Sequence, residues 1–310
     1  MARRVIGQER LGFLARAERR GALDELAEVI DWKPIEGQFG GVYAAAKGEP
    51  GWPPLALFKA LLLARLYELS DERLAEALDD RASFRRFCGF AASEPTPERT
   101  AFVRIRSELV ARGLDERLFL AVTRQLEARG LGVKGGTLVD ATVVRSASHG
   151  DGEARWYRTA KRPPVQGYKV HVAAGEDGIV RRVAVTPANV PEARLLEAVL
   201  PPRPGEVFAD SAYDQHAVHA TIRAARGRPR IIKRVHKRSR PALNAAKAAW
   251  NATVSPVRRK VEKIFGTAKR SYGLARARYL GLARVTLQAR LTLIAYNLRR
   301  ATALLRPAAA

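Results

Sequence analysis

Thr137-Leu138-Val139-Asp140-Ala141-Thr142-Val143-Val144 is a short apolar run, rich in β-branched residues, with one carboxylate in its middle. Gly135-Gly136 precede the run and Arg145-Ser146 follow it, which is the pattern of a buried strand. An unpaired charge in such a strand would cost on the order of several kcal/mol. Asp140 is therefore expected to be neutral, hydrogen-bonded, paired with a cation or bound to a metal, and the run alone leaves these alternatives open.

The composition of the chain points to a polyanionic partner. Among its 310 residues, 55 Lys and Arg stand against 31 Asp and Glu, which gives a formal net charge of +24. This excess opposes compaction by self-repulsion, so nucleic acid is the first candidate partner and a membrane surface the second. No apolar run is long enough for a spanning helix, and no secretory signal is evident, so a cytoplasmic protein is expected. The single cysteine, Cys88, excludes an intrachain disulfide and is expected in the core.

The first part of the chain has helical patterns. Apolar residues recur at helical spacing from Pro54 to Leu69, with proline at the start. Ser70, followed by two acids, is a typical N-cap for the next helix. Residues 1–130 are therefore predicted to be a helical N-terminal region with a role in DNA-end recognition and oligomerisation. The helices between Leu55 and Phe90 either include a helix-turn-helix or serve as plain scaffold.

Strands and helices alternate after residue 130. The patterns predict strands at residues 137–144, 169–173, 179–185, 206–210 and 230–233. Residues 146–166 are interpreted as a polar loop. The predicted order is three strands, helix, strand, helix, strand, helix, which indicates an α/β class (α+β overall) with a mixed sheet flanked by helices.

Two helices are predicted near the C-terminus. One covers Pro256 to Arg270 with Ser255 as its N-cap, and the other covers Leu282 to Leu305. Residues 131–280 are predicted to form the catalytic domain, and residues 281–310 a C-terminal helix that packs on it.

Three acids stand where they could converge. Asp140 lies within the first predicted strand, Asp210 at the end of the fourth, and Glu262 on the first of the C-terminal helices. Ligands of open α/β sheets gather at strand ends where neighbouring connections diverge. Arg258, Glu262 and Lys269 form a stripe beside the apolar face of their helix. That apolar face is formed by Val261, Ile264, Phe265 and Ala268.

Three carboxylates from two strands and a helix suit two Mg²⁺ ions, because magnesium prefers oxygen ligands and keeps open positions for phosphate and water. Two such ions about 4 Å apart can activate an attacking oxygen and stabilise the leaving one. Each acid also has an ordinary explanation. Asp210 could cap a turn, and Arg258 with Glu262 could be a surface ion pair.

The chain resembles a DDE transposase of the insertion sequence 5 family of bacterial mobile elements. Arg258, Glu262 and Lys269 match that family's Tyr-(2)-Arg-(3)-Glu-(6)-Lys signature in spacing, although Ser255 stands where the family has tyrosine. The other similar segments are Leu69-Ser70-Asp71-Glu72-Arg73, Phe84-Arg85-Arg86-Phe87-Cys88-Gly89-Phe90, Val139-Asp140-Ala141-Thr142, Gly167-Tyr168-Lys169-Val170-His171, Thr186-Pro187-Ala188-Asn189 and Phe208-Ala209-Asp210-Ser211-Ala212-Tyr213. Serine has no ring, so Ser255 cannot take over a stacking role of that tyrosine.

The resemblance implies an RNase H-like fold with Asp140, Asp210 and Glu262 as catalytic residues and ligands of Mg²⁺, with Mn²⁺ as a substitute. It implies cleavage at the element's terminal inverted repeats and attack of the freed 3′-hydroxyl on target DNA, without a covalent protein intermediate. Arg258 and Lys269 would contact DNA near the cleaved phosphate. A nucleoid-associated protein that is at least a homodimer on DNA is expected. A DNA-binding derivative without activity, or a nuclease that only hydrolyses, are the alternatives.

Further DNA contacts are predicted from the strand and charge patterns. Alternation places Lys169 and His171 on one face of the second strand, which is expected to face DNA. The segment from Arg226 to Arg240 is dense in basic residues, among them Arg234 and Lys237, and is expected to contact phosphates. Some of the tryptophans could stack on bases, namely Trp32, Trp52, Trp156 and Trp250.

Overall fold

The fold is given by a computed structural model in which the chain forms two compact units. The residues described are 21–42, 50–159, 162–235 and 240–306. The first unit contains the described residues of Met1–Gln125, together with Ser271–Gly273 and those of Arg290–Ala310. The second unit contains Leu126–Arg270 and Leu274–Ala289 within the described ranges, and it carries the sheet.

Helices dominate the chain before the sheet, as predicted. Their bounds are α1 (Ala22–Ala27), α2 (Lys33–Glu36), α3 (Pro54–Leu66), α4 (Asp71–Asp80), α5 (Ala82–Cys88), α6 (Arg99–Ala111) and α7 (Leu114–Ala128). Proline opens α3, and the Ser70 hydroxyl caps α4 by accepting a hydrogen bond from the backbone N–H of Arg73 at 3.2 Å. Cys88 is buried at the end of α5, which confirms that it is a core residue.

The sheet of the second unit is mixed. Its strands are β1 (Thr137–Arg145), β2 (Arg155–Thr159), β3 (Arg162–Gly175), β4 (Val180–Pro187), β5 (Glu206–Ala209) and β6 (Arg228–Ile231). The helices that follow are α8 (Leu196–Val199), α9 (His216–Ala224), α10 (Pro241–Arg258), α11 (Lys260–Ser271) and α12 (Leu282–Leu305). Short 3₁₀ turns cover Glu192–Leu195 and Ser211–Tyr213.

The strand order is β2-β3-β1-β5-β6, and β4 also pairs with β3. Because β1 and β4 both pair with residues 168–174 of β3, they lie on opposite edges of that strand. These pairs are antiparallel, whereas β1, β5 and β6 run parallel. One sheet face packs on α8 and α9 through a buried apolar cluster that includes Val139, Val207 and Ile222. The predicted RNase H-like mixed sheet with flanking helices is thus confirmed.

Strand β2 lies in residues 146–166, where only a loop was predicted. It pairs with β3, but four of its five side chains are exposed. A strand with no buried face has neither the apolar run that reveals β1 nor an apolar alternation, so no sequence pattern marks it.

The predicted start of the helix at Pro256 with Ser255 as N-cap is wrong. Both residues lie inside α10, which ends at Arg258, and α11 begins at Lys260. Proline cannot donate a backbone hydrogen bond to the preceding turn, but here it weakens the helix without starting a new one. Arg258 and Glu262 consequently belong to successive helices.

Strands β1 and β5 diverge next to the predicted acids. They pair only at Thr137 and Leu138 of β1, so Asp140 lies beyond the last pair. Asp210 follows directly after the last residue of β5. The two acids therefore border the opening where β1 and β5 separate. Within the part of the chain that the structure describes, no helix has the length and apolar character needed to cross a membrane.

Candidate active site

Asp140 is a buried carboxylate with one cationic partner. Its side chain accepts hydrogen bonds from the Ala141 backbone N–H at 2.9 Å and from Nη2 of Arg258 at 2.8 Å. The residue is 7% exposed. Burial raises the pKa of Asp140 to about 7, although the charge of Arg258 opposes that rise. Of the four alternatives left open by the sequence, the structure thus shows hydrogen bonding and pairing with a cation.

Arg258 joins two of the three predicted acids. While Nη2 binds Asp140, Nη1 donates to Oε1 of Glu262 at 2.7 Å. The Glu262 side chain is 56% exposed, whereas that of Arg258 is only 20% exposed. The third guanidinium nitrogen, Nε, is buried and has no hydrogen-bond partner among the described residues. The ordinary explanation of Arg258 and Glu262 as a mere surface pair is therefore incomplete, because the same arginine reaches into the sheet.

Asp210 caps the turn that follows β5. Its Oδ1 accepts a hydrogen bond from the Ala212 backbone N–H at 2.8 Å, which fixes the carboxylate at the edge of the opening. The charge of Asp210 also contributes to the raised pKa of Asp140. The structure thus brings Asp210 within electrostatic reach of Asp140, and its role as a turn cap is compatible with a second role.

Glu192 is a fourth carboxylate at this site, and the sequence reasoning missed it. It opens the 3₁₀ turn Glu192–Leu195, which packs against the turn after Asp210. Burial raises the pKa of Glu192, and the charge of Asp210 raises it further, while Lys169 lowers it. Acids are common at the first position of a helical turn because they interact favourably with the helix dipole. The position of Glu192 in the sequence therefore did not indicate a role in the site.

Lys169 and His171 share one face of β3, as predicted from alternation, but both are buried. Nζ of Lys169 donates to the Val190 carbonyl at 3.0 Å and lies 3.4 Å from Oε1 of Glu192. Nε2 of His171 bonds to the Thr186 hydroxyl at 2.9 Å. Lys169 thus contacts Glu192 of the site, and the burial of both side chains argues against direct contact with DNA.

The remaining predicted DNA contacts lie apart from these residues or outside the described chain. Nζ of Lys269 donates to the Val143 carbonyl at 2.9 Å, three residues after Asp140 on β1. Arg234 is exposed shortly after β6. Lys237 lies outside the described residues.

The donor atoms of the site suit a hard cation. Asp140, Asp210 and Glu262 offer only oxygen, which is the ligand that Mg²⁺ prefers. Among the described residues, however, no three His, Cys, Asp or Glu side chains are close enough together to share an ion as they stand. Arg258 lies between two of the acids, and both carboxylates already bind this one cation. The residues thus fit a divalent ion in chemistry and charge, provided that the guanidinium moves.

Comparisons with known proteins identify the family. Residues 132–298 match the family model "Transposase DDE domain", which is more than half of the chain, and residues 13–108 match "Transposase domain (DUF772)". A cryo-EM structure of the piggyBac transposase synaptic complex with hairpin DNA is similar at a TM-score of 0.44 and 10% identity, over 89% of this chain and 73% of that one. The chain belongs to the DDE transposases of the kind found in bacterial insertion sequences 4 and 5, and it is a transposition enzyme.

Proposed function

We propose that this transposase cleaves the ends of its insertion sequence and joins the freed 3′-hydroxyl to target DNA, using Asp140, Asp210 and Glu262 to hold two divalent metal ions. The observation that carries the proposal is the Arg258 guanidinium, which binds Asp140 at 2.8 Å and Glu262 at 2.7 Å. Two carboxylates from a strand and a helix thus converge on one cation, at an opening that Asp210 also borders.

Mg²⁺, or Mn²⁺ in its place, would supply Lewis-acid stabilisation of the attacking and leaving oxygens of the phosphodiester. The family uses divalent ions in general. The choice of Mg²⁺ rests on the all-oxygen donor set and on the exposed Glu262 carboxylate, which leaves one side of the site open to water and phosphate.

The chain's own cations have two roles in this proposal. Arg258 pairs with both Asp140 and Glu262 in the free protein, and on this proposal it also contacts the phosphate at the site. Lys269 holds β1 through the Val143 carbonyl, so it fixes the strand that carries Asp140. Lys169 holds the Glu192 carboxylate through an ion pair.

Double-stranded DNA is the proposed partner, both as terminal inverted repeats and as target. The net charge of +24 supports a polyanion, and the exposed Arg234 extends the basic surface beyond the site. The N-terminal helical region is the proposed reader of the element ends. Because two ends must be brought together, a dimer or higher assembly on DNA is proposed as well.

Asp210→Asn tests the catalytic assignment. The change keeps the shape of the side chain but removes its charge, so strand cleavage and joining should disappear while binding of terminal-repeat DNA stays within about threefold. The assay measures Mg²⁺-dependent cleavage and strand transfer on labelled element ends, with duplex binding measured in parallel.

Glu197→Gln is the matched control, because it neutralises an exposed acid on α8 of the same unit. Its cleavage and joining should equal those of the unaltered chain. Full joining by Asp210→Asn would refute the assignment. Cleavage by the unaltered chain that is never followed by joining would instead favour a nuclease that only hydrolyses.

A further inference from the structure

A groove in the second unit is separate from the carboxylates of the candidate site. Its volume is about 650 Å³, which is in the range of small-ligand sites. Among the described residues, its lining contains arginine, histidine and tryptophan side chains but no acid. The lining includes Arg145, His149, Trp156, Gln166 and Arg276. A basic groove without an acid is electrostatically complementary to a polyanion.

An aromatic pair forms one part of this groove. The rings of His149 and Trp156 are stacked, with 6.5 Å between their centroids and an interplanar angle of 24°. Trp156 is 47% exposed, which is unusual for so large an apolar side chain. Gln166 holds His149 at two points, since Oε1 lies 3.2 Å from Nδ1 and Nε2 donates to the His149 carbonyl at 3.2 Å. His149 is thus held in place before any ligand arrives.

The loop that carries His149 is fixed by a buried polar network. Oδ2 of Asp151 accepts hydrogen bonds from the Tyr168 hydroxyl at 2.8 Å and the Ser146 hydroxyl at 3.1 Å. All three residues are buried. Nη2 of Arg276 donates to the Ala147 carbonyl at 2.7 Å and so stabilises the start of the same loop. These hydrogen bonds fix the conformation of the polar loop, so the surface that it forms is preorganised for a ligand.

The groove lies along the strand that carries Asp140. Arg145, at its edge, is five residues further along β1, or roughly 16 Å at the usual rise of a strand. Lys269 binds the Val143 carbonyl between the two. Arg145 thus lies within a few nucleotide lengths of Asp140, with its side chain on the opposite face of β1.

We propose that this groove binds unpaired nucleotides of a DNA strand, with a base stacked on the Trp156–His149 pair and its phosphates beside Arg145. Aromatic stacking within a basic groove is how proteins hold single-stranded DNA without reading its sequence. Duplex DNA keeps its bases stacked on one another, so it cannot use the aromatic pair in this way. The inference rests on the proposed function for its substrate, DNA, but it does not depend on metal ions or on cleavage.

The test measures binding of a short single-stranded DNA oligonucleotide that contains 2-aminopurine, without divalent ions, to the full-length chain. Trp156→Leu keeps an apolar side chain but removes the ring, and it should weaken single-strand binding about tenfold. The same change should leave binding of the matching duplex within about twofold. Trp156→Phe should restore most of the single-strand affinity and the quenching of 2-aminopurine.

Leu243→Ala is the control, because it removes an equally exposed apolar side chain on α10. It should bind both oligonucleotides as the unaltered chain does. Asp210→Asn should also retain single-strand binding, so a failure of the catalytic proposal and a failure of this one are distinguishable. Unchanged single-strand affinity of Trp156→Leu would overturn the proposal. Equal losses for single strand and duplex, or a preference for the corresponding RNA, would overturn it too.

Discussion

Arg258 sets the charge balance of the site at the scale of single residues. Its guanidinium pairs with Asp140, which is buried, and with Glu262, which is half exposed, so one positive charge is shared by two carboxylates. A carboxylate buried without this partner would have to be protonated or bound to another cation. On the proposed mechanism, Arg258 and a divalent ion would therefore compete for the same two carboxylates.

Arg258→Gln should bind Mn²⁺ more tightly than the unaltered chain, by about tenfold at pH 8 and low salt, because a competing positive charge is removed. The measurement is calorimetric or paramagnetic titration with Mn²⁺ in the absence of DNA. Arg259→Gln is the matched control, since Arg259 is the exposed neighbour whose Nε contacts only the Ser255 carbonyl in the described structure. Equal affinities of the two variants would contradict the competition.

Asp140 and His171 should make opposite contributions to the pH dependence of stability. Burial raises the pKa of Asp140 from 3.8 to about 7, so the folded chain retains a proton that the unfolded chain releases. This contribution falls as the pH rises from about 4 to about 7. Burial, aided by Lys169, lowers the pKa of His171 from 6.5 to about 4. That contribution is present above about pH 6.5 and is lost as the pH falls to about 4.

Replacing either residue should therefore leave the pH dependence that the other one contributes to stability. Relative to the unaltered chain, Asp140→Asn should gain stability with rising pH between about pH 4 and 7, by up to about 4 kcal/mol, and His171→Gln should lose it, by up to about 3 kcal/mol. Urea unfolding followed by circular dichroism across this range, without divalent ions, measures both slopes. Parallel pH profiles for both variants and the unaltered chain would show that neither pKa is shifted by folding.

The β1–β3 pair is the element that holds Asp140 in register, and Gly167 permits it. Gly167 pairs with Arg145, and a Cβ at that position would lie 2.0 Å from the Val144 carbonyl oxygen. Gly167→Ala should therefore destabilise the fold by more than about 2 kcal/mol, because backbone atoms must separate. Gly152→Ala serves as control, since a Cβ there meets nothing within 4 Å. Urea unfolding measures the free energy of unfolding of each variant. Equal values for Gly167→Ala and Gly152→Ala would exclude the steric effect.

Elements with one clear apolar pattern were predictable from sequence, and those without it were not. β1, a short apolar run bounded by glycines and polar residues, and the helix from Leu282 to Leu305 were both predicted nearly residue for residue. β2 was missed because its side chains are exposed on both faces. The break between α10 and α11 was misplaced because proline is common at helix starts, whereas Pro256 lies inside a helix.

The candidate site was predictable only in part for a related reason. Spacing placed Arg258 and Glu262 side by side, and the structure keeps that contact. The reach of Arg258 to Asp140 depends on how α10 packs on β1, over a sequence separation that no local pattern reports. Glu192 was missed for the same reason, because its importance comes from the neighbouring turn at Asp210.

At the scale of the whole molecule, the net charge of +24 should produce two opposite responses to salt. Self-repulsion in the free chain is screened by salt, so its Tm should rise when NaCl is added. DNA binding depends on the release of counterions from phosphates, so its affinity should fall with salt, and the logarithm of the association constant should fall linearly with log[NaCl]. A Tm of the free chain that falls over the same range would contradict the first of these expectations.

Arg234→Gln tests where the basic surface meets DNA. If Arg234 contacts one phosphate, the slope of log K against log[NaCl] should become less negative by about 0.9, with a uniform loss of affinity across DNA sequences. Arg306→Gln is the control, because the guanidinium of Arg306 is already paired with Glu25. Fluorescence anisotropy with labelled duplexes over a salt series measures both slopes. Since only a cation that displaces a counterion from DNA changes the slope, an unchanged value for Arg234→Gln would remove this residue from the interface, whatever its effect on stability.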